Sequence, residues 1–141
     1  MNRHLSRMIS MQTLYEYNFR QNADLQEIIA RNINEYLDKV DADFIKSLVN
    51  GVTKHQEEID KLISMSAPEW PIEQISLIDK TILSLSIYEL KYAKDVPPKV
   101  SINEAVELGK QFGSENSSKF INGVLGNVYD RLFAQEGNDG K

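Results

Sequence analysis

VSINEAVELGKQFGSENSSKFINGVLGN, from Val100 to Asn127, is the stretch that decides the fold, because it holds two helix patterns separated by one short turn. Ser101 followed by Glu104 has the spacing of a capping box, in which each side chain satisfies a backbone N–H at the helix start, and Val100 can staple onto Ala105. Ile102, Ala105, Val106, Gly109 and Phe112 recur at helical spacing, and Gly113 stands where a left-handed C-terminal residue is wanted. The next helix is predicted to start around Ser114 to Ser117, with Ile121, Val124, Leu125, Val128 and Leu132 as its core stripe. Gly123 and Gly126 are expected to thin its flanks for close packing. At about 100° per residue, Phe120 falls at the edge of that stripe beside Asn116, Asn127 and Arg131, with Lys119 and Asn122 further round. Periodicity alone makes Phe120 a packing residue, whereas its ring of amides and cations makes it a candidate ligand platform.

Working back from this stretch, Pro97 and Pro98 stop any helical run before the capping box. Asp79 to Ala93 is predicted as a helix apolar on more than one side, through Ile82, Leu83, Leu85, Ile87, Tyr88 and Leu90, which suits a central pillar surrounded by others. Asp79 near its start complements the helix dipole. APEWPIEQ, residues 67–74, interrupts the pattern and marks a boundary between subdomains of about 1–66 and 72–134, with Trp70 closing the corner between them and a short helix over Ile72 to Leu77. Asp24 caps a helix carrying Leu25, Ile28, Ile29, Ile33, Tyr36 and Leu37. Asp41 or Asp43 opens another through Phe44, Ile45, Leu48, Val49 and Val52, continuing through Ile59, Leu62 and Ile63 as one long helix. Arg3 to Arg20 reads as the first helix, its broad apolar face including Leu5, Met8, Ile9, Met11, Leu14, Tyr15 and Phe19. Residues 135–141 read as a disordered polar tail. The expectation is an all-α chain of six or seven helices in two small packed groups.

The 141 residues fit one domain that needs no staples, and no cysteine is present. That removes disulfides and thiolate chemistry and suits a cytoplasmic setting. No apolar run approaches the roughly 20 residues of a membrane span, and the N-terminus lacks a secretory pattern. His4 and His55 belong to no zinc spacing, no glycine-rich phosphate loop occurs, and the acids are scattered. Neither a catalytic constellation nor a metal or cofactor set is therefore expected, and a binding module is the better class. The net charge of −5 excludes a uniformly basic surface, but the first twenty residues carry Arg3, Arg7 and Arg20 against Glu16 alone. Any nucleic-acid contact must be local. Arg3 and Arg7, four apart, share a face that composition alone reads as solvated.

VPPKVSINEAVELGKQFGSENSSKFINGVLGNV resembles the C-terminal signature of the NusB family, bacterial transcription antitermination factors that bind RNA, and QTLYEY at Gln12 to Tyr17 and IDKTILSLSIYEL extend the resemblance over nearly the whole chain. The resemblance implies a heterodimer with NusE, a small-subunit ribosomal protein, that binds single-stranded boxA RNA. It also implies recruitment with other Nus factors to RNA polymerase, notably on ribosomal RNA operons. Arg3 and Arg7 match two basic positions of the family's arginine-rich N-terminal segment, while His4 and Leu5 occupy others, so RNA affinity should be weak and shallow in salt. The implied RNA surface joins Arg3, His4 and Arg7 to Asn116, Ser117, Ser118, Lys119, Phe120 and Asn122. There the open N–H groups near Ser117 and Ser118 attract phosphate, Phe120 stacks on a base, and Asn116 and Asn122 read base edges. Asn116 stands where the family usually carries an acid. Asp79 and Tyr15 are the implied contacts to NusE, Tyr15 being equally readable as core. Two other readings stay open: the related RNA-binding domain of ribosomal RNA cytosine methyltransferases, which would need a cofactor-binding domain after the helices, and a helical homodimer.

Overall fold

Asn2 starts the first helix by accepting the Leu5 N–H on its Oδ1 at 2.9 Å, and α1 runs Arg3–Phe19. The computed structural model describes residues 2–139, with backbone alone at 135–139. After α1 come α2 (Leu25–Glu35), α3 (Ala42–Lys54), α4 (Gln56–Ser66), a 3-10 turn at Ile72–Gln74, α5 (Leu77–Tyr92), α6 (Pro98–Phe112) and α7 (Ser117–Asp139). The described residues contain no strand, and the fold is all-α as expected.

The helices form two compact units that divide between Lys54 and His55 rather than at APEWPIEQ. The expected long helix breaks there, His55 adopting φ −109° and ψ 20°. Its two stripes have different targets: α3 packs on α1 and α2, whereas α4 packs on α5 and α7. The 3-10 turn replaces the short helix expected over Ile72 to Leu77.

In the first unit Ile9, Met11 and Leu14 of α1 are buried, as are Ile28, Ile29 and Ile33 of α2 and Ile45, Leu48, Val49 and Val52 of α3. Asp24 caps α2 through the Gln26 N–H at 2.9 Å, and Asp41 caps α3 through the Phe44 N–H at 3.1 Å. Buried hydroxyls tie these pieces together. Ser6 donates to the Asn2 carbonyl and accepts the Asp41 N–H, while Thr13 accepts from Asn32, so none of these groups loses its partner on leaving water. Phe19, expected in the apolar face, lies past the last packed turn and is 71% exposed.

The second unit is built on α5, whose Ile82, Leu83, Leu85, Ile87 and Leu90 are buried among α4, α6 and α7. Ser101 is not a cap: α6 begins three residues earlier, because Pro98 has the helical φ preset and no N–H to leave unsatisfied. Ser101 is instead buried, 2.9 Å from the Ser86 hydroxyl and within 3.2 Å of a Glu89 carboxylate oxygen. Gly113 is extended (φ −88°, ψ −171°), not left-handed, and its requirement is space. A Cβ there would lie 2.3 Å from Ser117 Oγ and 2.8 Å from the Gly109 carbonyl oxygen. Gly113→Ala is therefore expected to cost about 1–3 kcal/mol, visible as a lower urea midpoint with unchanged slope. Gly109 makes the close α6–α7 approach, with Ile121 Cδ1 at 2.8 Å from a built Cβ, whereas Gly123 and Gly126 face open space and thin nothing. Residues 135–139, expected in a disordered tail, continue the α7 backbone, Ala134 to Glu136 being good helix formers; 140 and 141 lie outside the described residues.

His55, expected without an orienting partner, stacks on Tyr92 with ring centroids 4.4 Å apart and sits 3.4 Å from Glu58. Glu58 also bonds Lys91 and accepts the Tyr92 hydroxyl at 2.5 Å. Lys91 first, then Tyr92, holds the Glu58 carboxyl below the ordinary glutamate range. A carboxylate with a depressed folded pKa contributes stability above its unfolded value of about 4.3, and this is lost as pH falls through the folded pKa. Glu58→Gln is thus expected to make the melting temperature fall less steeply between roughly pH 5 and pH 3 than in the unsubstituted chain.

Candidate nucleic-acid interface

The first turn of α7 is held by its own serines. Ser117 Oγ accepts the Ser114 N–H at 2.8 Å, and the Ser117 N–H donates to the Ser114 carbonyl at 3.1 Å. Ser117 is buried, so its hydroxyl shapes the turn rather than meeting a ligand. The Phe120 N–H closes onto the Asn116 carbonyl, leaving the amides of Ser118 and Lys119 as this helix start's open donors. No acid stands in this first turn, and Lys119 is exposed, so the end is set up to attract an anion.

Phe120 is half-buried, its ring meeting the edge of Trp70 with centroids 6.2 Å apart and planes at 76°. Together they border a cleft of about 750 Å³ between the end of α4 and the start of α7, rimmed by Asn116, Lys119, Asn127 and Glu69. Asn127 is pinned there by donating to the Ser66 carbonyl at 2.9 Å, one turn from Arg131, which donates to the Met65 carbonyl. Asn122 is exposed but does not line the cleft; Asn127 takes the place expected for it, being seven residues after Phe120 and so on the same helix face. Trp70 does not close a buried corner: the indole is 51% exposed. Trp70 lies fifty residues before Phe120, so the meeting of the two rings is not legible from helical spacing.

Asp79 lines a second cavity, of about 480 Å³, which shares Trp70, Asn116 and Phe120 with the first. The residue is 9% exposed, and its Oδ1 is buried with no hydrogen-bond partner. A carboxylate oxygen in that condition is unfavourable unless something outside the chain completes it.

The other expected residues lie in the first unit. Arg3 is exposed, its guanidinium 4.1 Å above the Phe44 ring and 3.8 Å from Asp41. Arg7 shares that face but is 4% exposed, its guanidinium 5.3 Å from the same ring, so it is packed rather than presented to solvent. His4 is half-buried. Tyr15 is half-buried and stacks on Phe19 at 6.1 Å, with Glu16 beside it taken up by Arg31 and Arg20. Arg31 foremost holds Glu16 below the ordinary glutamate range. Among the described residues no group of three His, Cys, Asp or Glu could hold a metal ion, and no helix is long and apolar enough to cross a membrane.

An all-helical chain with an open aromatic cleft beside a cation-bearing helix start is of the class built to dock ligands on its surface. The chain belongs to the NusB family, whose model matches residues 4–130. It is 38% identical over 130 residues to the transcription antitermination protein NusB of Clostridium novyi, covering 91% of this chain and 98% of that protein. Its fold superimposes on T. maritima NusB with a TM-score of 0.86 at 33% identity, covering 92% of each chain. It also matches a crystal structure of the antitermination factors NusB and NusE in complex with dsRNA, with a TM-score of 0.80 and 26% identity over 93% of this chain and 99% of that one.

Proposed function

We propose that this protein is a transcription antitermination factor that binds boxA RNA together with NusE. Through that pair it joins other Nus factors at RNA polymerase, in the cytoplasm and notably on ribosomal RNA operons. Its role is to dock, not to catalyse. Family membership and the NusB–NusE–RNA neighbour support the class, and one observation carries the site: Phe120 stands in an open cleft rimmed by two amides and Lys119, at a helix start with open N–H groups. Arg3 is the exposed cation of α1 and contributes a phosphate contact, while buried Arg7 fixes the face on which Arg3 lies. With Arg3 and Lys119 as the cations, log K against log salt has a slope of roughly −1.5 on single strands. Two modest surfaces, one on each protein, give the joint site its affinity.

Gly123 tests the cleft without disturbing the fold. A Cβ there meets no protein atom within 4 Å, and the position lines the cleft. Gly123→Leu is expected to keep or raise helix stability, by up to about 1 kcal/mol, and to reduce binding of a boxA oligoribonucleotide at least tenfold by fluorescence anisotropy with NusE present. Undiminished RNA binding by this variant would place the interface elsewhere.

A further inference from the structure

The Trp70 indole is held out of the core by a rigid support. The Trp70 backbone N–H donates to the Ala67 carbonyl at 3.0 Å, a tight turn directly after α4, and Pro68 and Pro71 bracket the residue. Prolines cut the number of conformations the backbone can adopt, so the segment carrying the ring is restrained at little entropic cost. An exposed indole so fixed contributes little burial here. Its one ring partner in the described residues is Phe120, met edge-on at 76°. At a centroid separation of 6.2 Å the two rings touch, so nothing slides between them; they form a corner with two separate faces. Asn116, Asn127 and Lys119 line the same cleft, and its acid, Glu69, lies next to Trp70 in the chain, which disfavours phosphate at that end.

We propose that Trp70 is a second nucleobase platform, so that the cleft holds two bases of one single strand, one on each ring, unstacked from each other by the angle between the rings. This rests on the RNA-binding reading of the Phe120 cleft and deepens it by naming a second residue that holds a base. Bases in a continuous helical stack are parallel, and two platforms at 76° cannot both be filled by such a stack. The strand must turn sharply between them, which a fully paired duplex resists and a flexible single strand allows. The amides then meet the edges of splayed bases, which carry the hydrogen-bonding information, while the rings accept any base.

Trp70 is the chain's single tryptophan, so its emission reports on the site directly. The protein with NusE is titrated with a labelled boxA oligoribonucleotide and, separately, with the same sequence fully paired in a hairpin, reading anisotropy and tryptophan emission together; Trp70→Phe supplies the emission blank. The single strand is expected to quench Trp70 along the same isotherm as the anisotropy, the hairpin not to quench. Trp70→Ala should lose roughly 5- to 100-fold in affinity and Trp70→Phe less than about threefold, with melting temperatures of both close to the parent. Phe120-dependent binding with unchanged Trp70 emission, or equal quenching by the hairpin, overturns this inference and leaves the RNA reading standing. No RNA binding by the unsubstituted protein with NusE overturns the RNA reading and this inference with it.

Discussion

Phe120→Ala is expected to reduce boxA affinity roughly tenfold to a hundredfold in the presence of NusE, while the protein stays folded at the temperature of the measurement. The affinity term follows from stacking, about 1–3 kcal/mol per base. The stability term is smaller than for a core phenylalanine, where truncation costs about 3–5 kcal/mol, because the ring is half-buried and faces a cleft. Both quantities must be measured. A large fall in melting temperature with affinity preserved would show that the ring is a packing residue. Salt separates this effect from electrostatics: Phe120→Ala shifts log K without changing its salt slope, whereas Lys119→Gln flattens the slope.

Asp79→Asn is expected to weaken NusE binding while leaving stability nearly unchanged. The buried Oδ1 has no partner within the chain, so replacing the charge with an isosteric amide removes a desolvation cost that offsets the lost interaction with the α5 dipole, and stability is expected to stay within about 1 kcal/mol of the parent. If NusE completes that carboxylate, removing the charge leaves the NusE group unpaired, and affinity falls by about 2–5 kcal/mol, some 30-fold or more. Calorimetric titration with NusE and thermal melting of the free protein read the two terms separately. Unchanged NusE affinity removes Asp79 from the interface. A loss of stability together with affinity means that the carboxylate is structural.

Helix content was legible in the chain because apolar residues recur at helical spacing over long runs; the cap at Asp24 could be named from residue type and position, and that of the next helix was narrowed to Asp41 or Asp43, of which Asp41 accepts the Phe44 N–H. The face carrying Asn116, Phe120 and Asn127 was readable for the same reason, since residues on one helix are related by a fixed rotation. Three matters were decided only by tertiary packing. Ser101 has the sequence of a cap but is buried against Ser86 and Glu89, fifteen and twelve residues away, once Pro98 opens the helix earlier. Gly113 reads as a left-handed stop, yet its backbone is extended, and the missing side chain makes room for Ser117. Arg7 lies one turn after Arg3 on the same face, but the packing of α1 on α3 buries Arg7 and leaves Arg3 exposed over the edge of that contact. The cleft belongs with these. Spacing along a helix is a local property, but the meeting of Trp70 with Phe120 depends on where α4 ends against α7, a placement fixed by buried side chains distant in sequence.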